Sequence, residues 1–433
     1  MEQKPLKDFI ALRAEWLRLR SRLYDKATGL PTLPAVLEDV RRLTENGKDV
    51  GVVYLGVDQS AHLEEIYGWQ LYDRMLSAVA AALERERGAG LAGEDILALR
   101  GIRGDEILLF TKCLGDPVRH MEQRGQAMLS RLRGTELPRP GIEIAQADTF
   151  LTGRALISRD ARLRFERLVY QAVEQASNAA LEAQEGHRQR QHRTLRSLLD
   201  TDGLVTLFQP IYHLETGIVF GYEALTRGPE NSEFESAEAL FSFAEQTDLI
   251  NELERRCRNR ALNLGREGRE PGRIFINCSV KCLYDREFEP ENLASEVAKA
   301  GLENRQVVFE ITERVAVHDW EQFRTMLKRL KQHGFAVAID DMGAGYSNLQ
   351  LLAEIEPDFL KLDISLVKGV DKNLVKLELL RTLQGLAQRI GAQVIAEGLE
   401  SEAEHRVVKE LGIPYGQGFF LAWPSACSAS AIA

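Results

Sequence analysis

From about residue 203 onward, short runs of β-branched and aromatic residues alternate with stretches of helical spacing. The strand-like runs lie near Val205, Ile218, Ile274, Val307, Phe335, Phe359, Val394 and Gly418. Helical spacing fills residues 237–245, 249–266, 293–300, 320–333, 374–390 and 402–411. Eight strands alternating with helices predict a parallel (β/α)₈ barrel, whose reactive groups lie at the C-terminal ends of the strands.

Six acidic or amide side chains fall where these runs stop. Glu223 follows residues 218–222, Asn277 follows 274–276 and Glu310 follows 307–309. Asp340 and Asp341 follow 336–339, and Glu397 follows 394–396. A carboxylate after a strand commonly caps the next helix, and that explanation serves for any one of them. At successive strand ends together, a shared metal site accounts for them better. Glu223, Asn277, Glu310 and Asp340 offer three carboxylates and one amide oxygen, hard donors suited to Mg²⁺ or Mn²⁺ rather than zinc. Asp341 is placed to bridge to a second cation. Two cations about 4 Å apart stabilise both the attacking and the leaving oxygen of a phosphodiester. Lys361 alternates with apolar neighbours in residues 359–363. A lysine among inward-facing strand residues is costly unless paired. Beside such carboxylates it would orient a water or neutralise developing charge; the alternative is a strand-edge lysine facing solvent. Glu397 is a candidate general base, with Glu400 in support from the following turn.

Composition narrows the function classes. The 433 residues suit two domains, and 44% apolar with 28% charged residues is ordinary for a globular chain. A formal net charge of −10 repels polyanions at long range, which argues against general nucleic-acid binding. The five cysteines form no Cys-x-x-Cys pair and the eight histidines show no paired spacing, so a reduced, cytoplasmic setting without zinc is expected. The first 22 residues are amphipathic and lack the apolar region of a signal peptide. No run reaches the roughly 20 apolar residues that a membrane span needs.

The first half reads as a separate α/β domain. A helix is expected over residues 6–24, then a turn at 28–31 and a helix over 34–44. A strand at 50–57, a helix at 71–86, strands at 96–100 and 107–112, a helix at 117–132 and a strand at 142–147 follow. Residues 161–199 read as one long helix, polar and basic over 184–196. That stretch is either a solvated connector or a signalling helix that couples two domains or forms a dimer. The expected boundaries are an N-terminal helix at 1–24, an α/β domain at 25–186, a linker helix end at 187–201 and the barrel at 202–433.

The second half resembles the EAL domain, the family of cyclic di-GMP phosphodiesterases. The likeness rests on Glu223–Ala224–Leu225 within Gly221-Tyr-Glu-Ala-Leu-Thr-Arg227, preceded by Phe208–Gln209–Pro210–Ile211. It continues through Asn277 in Phe-Ile-Asn-Cys-Ser, Glu310 and Glu313 in Phe-Glu-Ile-Thr-Glu, and Asp340-Asp-Met-Gly-Ala-Gly-Tyr-Ser-Asn-Leu349. Leu360-Lys-Leu-Asp363, Ala396-Glu-Gly-Leu-Glu400 and Gly416-Gln-Gly-Phe419 complete it. The resemblance implies a TIM-like barrel and a two-metal site for Mg²⁺ or Mn²⁺. Glu223, Asn277, Glu310 and Asp340 would hold one ion and Asp341 the second. Lys361 would contact the attacking water, and Glu397 would be a base or its partner. Gln209, Leu225, Arg227 and Gln417 would contact the substrate, Arg227 at a phosphate. Glu313 would anchor the loop at residues 342–348, with Glu400 in a similar role. The implied reaction opens cyclic di-GMP to linear pGpG. A receptor that binds cyclic di-GMP without turning it over is the alternative.

The first half resembles a GGDEF domain, the diguanylate cyclase family, in degenerate form. Asp25-Lys-Ala-Thr-Gly-Leu-Pro31 matches its start, and Arg103-Gly-Asp-Glu-Ile107 stands at its signature. The family ends its first strand with two Asp one residue apart, the first a metal ligand; here the stretch reads Gly56–Val57–Asp58. Ser60–Ala61 replaces Phe-Lys, and Glu64 stands where an Asn reads guanine. A carboxylate there still accepts from guanine N–H groups, which leaves GTP open as a ligand. The Arg-x-x-Asp inhibitory motif is absent, with Glu94–Asp95–Ile96–Leu97 near its place. The resemblance thus implies a cyclase-like domain that regulates or dimerises, and a homodimer, rather than cyclase activity.

Overall fold

The computed structural model describes residues 23–45, 49–58, 64, 68–85, 92–101, 103–133, 150–158, 160–265, 272–285, 287–312, 320–343, 352 and 354–426. The chain divides into two units, Met1–Arg190 and Gln191–Ala433. The expected helix at residues 6–24 falls almost wholly outside the described residues, as does the strand expected at 142–147.

In the first unit, β1 (Val50–Val57), β2 (Ile96–Leu99), β3 (Glu106–Lys112) and β4 (Phe150–Leu156) form one sheet in the order β2-β3-β1-β4. β1 pairs antiparallel with both β3 and β4, and all eight of its residues are buried. Strand alternation gives it two apolar faces. Val53, Leu55 and Val57 join a core with α2 (Trp69–Arg85) and α3 (Pro117–Arg133). Val52 and Tyr54 join another with α1 (Leu33–Thr44) and α4 (Phe165–Asp200). β4 was not expected. Gly153 interrupts its β-forming pattern, and a Cβ there would run into the backbone of α4 at Ala176 and Ala180.

In the second unit, β5 (Val205–His213) to β12 (Tyr415–Gly416) close an eight-stranded barrel in the order β10-β11-β12-β5-β6-β7-β8-β9. The remaining strands are β6 (Val219–Arg227), β7 (Arg273–Ser279), β8 (Val307–Thr312), β9 (Ala336–Met342), β10 (Phe359–Leu362) and β11 (Gln393–Ala396). Around it lie α5 (Ala237–Glu245), α6 (Ile250–Gly265), α7 (Pro290–Lys299), α8 (Trp320–Gln332), α9 (Leu374–Ile390) and α10 (Glu402–Glu410).

Two expectations need correction. The barrel is not wholly parallel, because β5 runs antiparallel to both β6 and β12. Only a tight turn separates β5 from β6. In it Gly217 takes a left-handed φ of 70° and donates its N–H to the His213 carbonyl at 2.8 Å. So short a link permits only a hairpin, since parallel neighbours need a long crossover. The last strand, Tyr415–Gly416, falls beside Gly418 as expected.

Four strands also do not stop at the acids, whereas β11 ends at Ala396, just before Glu397, as expected. β6 runs on to Arg227, β7 to Ser279, β8 to Thr312 and β9 to Met342. What places these groups is the two-residue period inside the barrel. Phe275, Val308, Ala338, Phe359, Ile395 and Tyr415 form an apolar cluster with Ile211. Two residues further along the chain stand Asn277, Glu310, Asp340, Lys361, Glu397 and Gln417. In antiparallel β5 the polar member, Gln209, precedes Ile211 instead. A polar layer thus sits directly above an apolar one.

Candidate active site

Lys361 is the centre of the polar layer. Its Nζ lies 2.7 Å from Glu397 Oε1, 2.8 Å from Glu310 Oε1, 3.2 Å from Glu223 Oε2 and 3.3 Å from Asp340 Oδ1. Its side chain is 1% exposed, so these carboxylates replace water as its solvation. Burial alone would pull its pKa down, but Asp340, Glu223, Glu310 and Glu397 outweigh that and hold it well above the usual lysine range. The expectation of an inward lysine therefore holds, and the solvent-facing alternative does not.

One ammonium does not balance four carboxylates. Burial, and then the charge of Glu223, pushes the Glu310 carboxyl well above the usual range. Burial also raises Glu397, with Asp340 and Glu223 adding to it against Lys361. Burial acts on Glu223 in the same sense, but Lys361 and the amides of Gln417 and Asn277 overcome it and leave its carboxyl lowered. Among the described residues, Glu310 Oε2 is buried with no hydrogen-bond donor. Carboxylate oxygens of Asp340, Asp341 and Glu397 lie within 4.8 Å of one another. Excess negative charge, an orphaned buried oxygen and hard oxygen donors together fit a hard divalent cation.

Asp341 reaches the cluster through a local irregularity. Consecutive strand residues point to opposite faces, so Asp340 and Asp341 would ordinarily diverge. The pairing of β9 with β10 shifts register here, with Leu360 opposite Ile339 and Leu362 opposite Met342. Asp341 takes a positive φ of 54°. A bulge of this kind re-aims a side chain at a local cost of order 1 kcal/mol or more.

The amides form a chain beside the acids. Gln417 Nε2 donates to Glu223 Oε2 and to Gln209 Oε1, both at 2.8 Å, and Gln209 Nε2 donates to the Ala422 carbonyl at 3.1 Å. Asn277, exposed at the mouth, donates Nδ2 to Glu223 Oε1 at 3.2 Å. Two cavities reach the layer. One of about 450 Å³ is lined by Leu225, Arg227, Asn277, Asp340 and Asp341. The other, about 220 Å³, is lined by Gln209, Glu223, Glu397, Glu400, Gln417 and Phe419. Arg227 is half-buried and donates Nη1 to the Thr226 carbonyl at 2.8 Å. Glu400 is exposed and pairs with Lys368 at 2.6 Å. Glu313 and residues 344–350 lie outside the described residues.

The sequence reading missed Glu254. It is buried on α6, accepts the Ser279 N–H at 3.0 Å through Oε1 and lines the larger cavity. Its only sequence signal was an acid on the apolar stripe Ile250, Leu253, Cys257, Ala261.

A polar, acid-rich layer at one end of a barrel, open to two cavities, is where TIM-like domains carry their functional sites. The EAL domain model matches residues 192–424, more than half of the chain, and the chain belongs to that family. Curated relatives include the cyclic di-GMP phosphodiesterase PdeR of Escherichia coli, 28% identical over 92% of this chain and 61% of its own. The cyclic di-GMP phosphodiesterase NbdA of Pseudomonas aeruginosa is 26% identical over 93% of this chain and 52% of its own. The chain thus spans between about half and two thirds of the length of these relatives. The solved EAL domain of Xanthomonas citri FimX, in complex with c-diGMP, shares the fold with a TM-score of 0.50 at 23% identity, over 57% of this chain and 97% of that one.

Proposed function

We propose that this chain hydrolyses cyclic di-GMP to linear pGpG at the open end of the barrel. The observation that carries the proposal is the Lys361 ammonium set among Glu223, Glu310, Asp340 and Glu397 within hydrogen-bonding reach. The relatives named as cyclic di-GMP phosphodiesterases supply the substrate class.

Glu223, Asn277, Glu310 and Asp340 would hold one divalent cation and Asp341 a second, Mg²⁺ or Mn²⁺. Such ions supply charge stabilisation to attacking and leaving oxygens of a phosphodiester. The protein's own groups do the rest. Arg227 extends a planar guanidinium into the larger cavity, where a phosphate would accept two parallel hydrogen bonds. Leu225 on that side, with Gln209 and Gln417 on the other, would fix the substrate's position. Lys361 would orient the attacking water. Glu397, whose carboxyl is raised by burial, would take its proton as the oxygen bonds to phosphorus and the sugar oxygen leaves. Glu313 and Glu400 would hold the adjoining loops.

The first unit would act as a regulatory, cyclase-like domain without cyclase activity, since Gly56 stands where the metal-binding carboxylate is needed. Incubation with cyclic di-GMP and Mg²⁺ or Mn²⁺, followed by chromatography for pGpG, tests the assignment. Binding without product would favour the receptor alternative.

A further inference from the structure

The strand that should end in a metal ligand ends instead under an aromatic ring. Tyr54 and Gly56 lie on one face of β1, two residues apart. A Cβ built on Gly56 would lie 2.5 Å from Tyr54 Oη and 2.8 Å from two of its ring carbons. Gly56 has no positive φ to demand glycine. Its glycine is explained by space: the phenol end of the Tyr54 side chain occupies the place a Cβ would take.

The ring is tied down. Gly56 pairs directly with Glu106 on β3. Tyr54 Oη donates to Glu106 Oε1 at 2.9 Å, and Arg100 Nη1 donates to the same oxygen at 2.8 Å. Arg100 Nη1 also reaches Ser177 Oγ on α4 at 3.0 Å. Burial and the neighbouring Glu106 push the Tyr54 phenol well up, so it stays a donor. The other acid at this strand end, Asp58, accepts from Gln184 Nε2 of α4 at 2.6 Å. The carboxylates left here are thus engaged with the protein's own donors, and the place of the missing one is filled.

We propose that the described residues of the first unit offer no site for a nucleoside triphosphate with its divalent cation: Tyr54 fills the space beside Gly56, and Glu106 anchors α4 through Arg100 and Ser177. The residues do not fit the metal that the cyclase resemblance implies. This inference is independent of the barrel's activity and stands or falls without it.

Two measurements on the full chain test it. Gly56→Ala should lower the melting temperature by about 4 °C or more. It should also speed hydrogen exchange in β1 and in the α4 segment around Ser177. With Tyr54→Ala already present, Gly56→Ala should add little. A Gly56→Ala variant as stable as the parent would overturn the proposal, because the ring would then not cover the glycine. Equilibrium dialysis of the unsubstituted chain against GTP and Mg²⁺ needs no variant to fold. The expected result is no saturable binding. Saturable, Mg²⁺-dependent binding that Glu106→Gln abolishes would also overturn it.

Discussion

Lys361 Nζ and Glu310 Oε1 lie 2.8 Å apart, and both side chains are almost completely buried. Glu310 keeps a second oxygen that no donor among the described residues reaches. The lysine is therefore part of a charge balance that one cation does not complete.

Removing the lysine should expose that imbalance. Lys361→Met leaves four carboxylates facing one another, and breaking a buried pair by deleting one partner costs about 3–5 kcal/mol. Chemical denaturation in EDTA should show this loss in the barrel transition. Added Mg²⁺ or Mn²⁺ should recover part of it, because cations that bind only the folded state stabilise it.

Glu310→Gln should act in the opposite direction on stability. Its carboxyl is raised by burial and by Glu223, so ionising it in the folded state is unfavourable. A neutral isostere relieves that cost, and the metal-free variant should melt at or above the parent's temperature. Turnover should nevertheless fall by about 100-fold or more, since even partners of metal ligands cost 10–100-fold.

Glu397→Gln separates base from binder. If Glu397 takes the proton, kcat should fall by about 10²-fold or more with KM little changed. A rise in KM at constant kcat would make Glu397 a binding residue.

Cys257 offers a check on the cavity wall that does not depend on activity. Burial pushes its thiol up to about 12. At pH 8 the thiolate fraction is then on the order of 10⁻⁴. Mass spectrometry after iodoacetamide treatment should find Cys257 unmodified in the folded protein and alkylated after denaturation.

Much of the site was legible in the sequence because barrel strands have a simple period. A polar residue two beyond Phe275, Val308, Ala338, Phe359 or Ile395 shares their inward face, which brings Asn277, Glu310, Asp340, Lys361 and Glu397 together. Less legible were features that break the period. The bulge that turns Asp341 toward Asp340 depends on a register shift against β10, which only the paired strands reveal. The antiparallel β5 was readable in principle, since no helical stretch separates residues 205–213 from 219–227. Glu254 hid on an apolar helical stripe, where spacing alone does not distinguish a buried acid from a solvated one. In the first unit the glycine at position 56 was plain, but not that Tyr54 fills the space beside it, which depends on where the ring folds.

The most direct test of the central claim is turnover of cyclic di-GMP by the purified chain with Mg²⁺ or Mn²⁺, followed by anion-exchange chromatography. The account predicts accumulation of pGpG, abolished by EDTA and by Asp340→Ala. Cyclic di-GMP that binds but is recovered intact with either metal would contradict it.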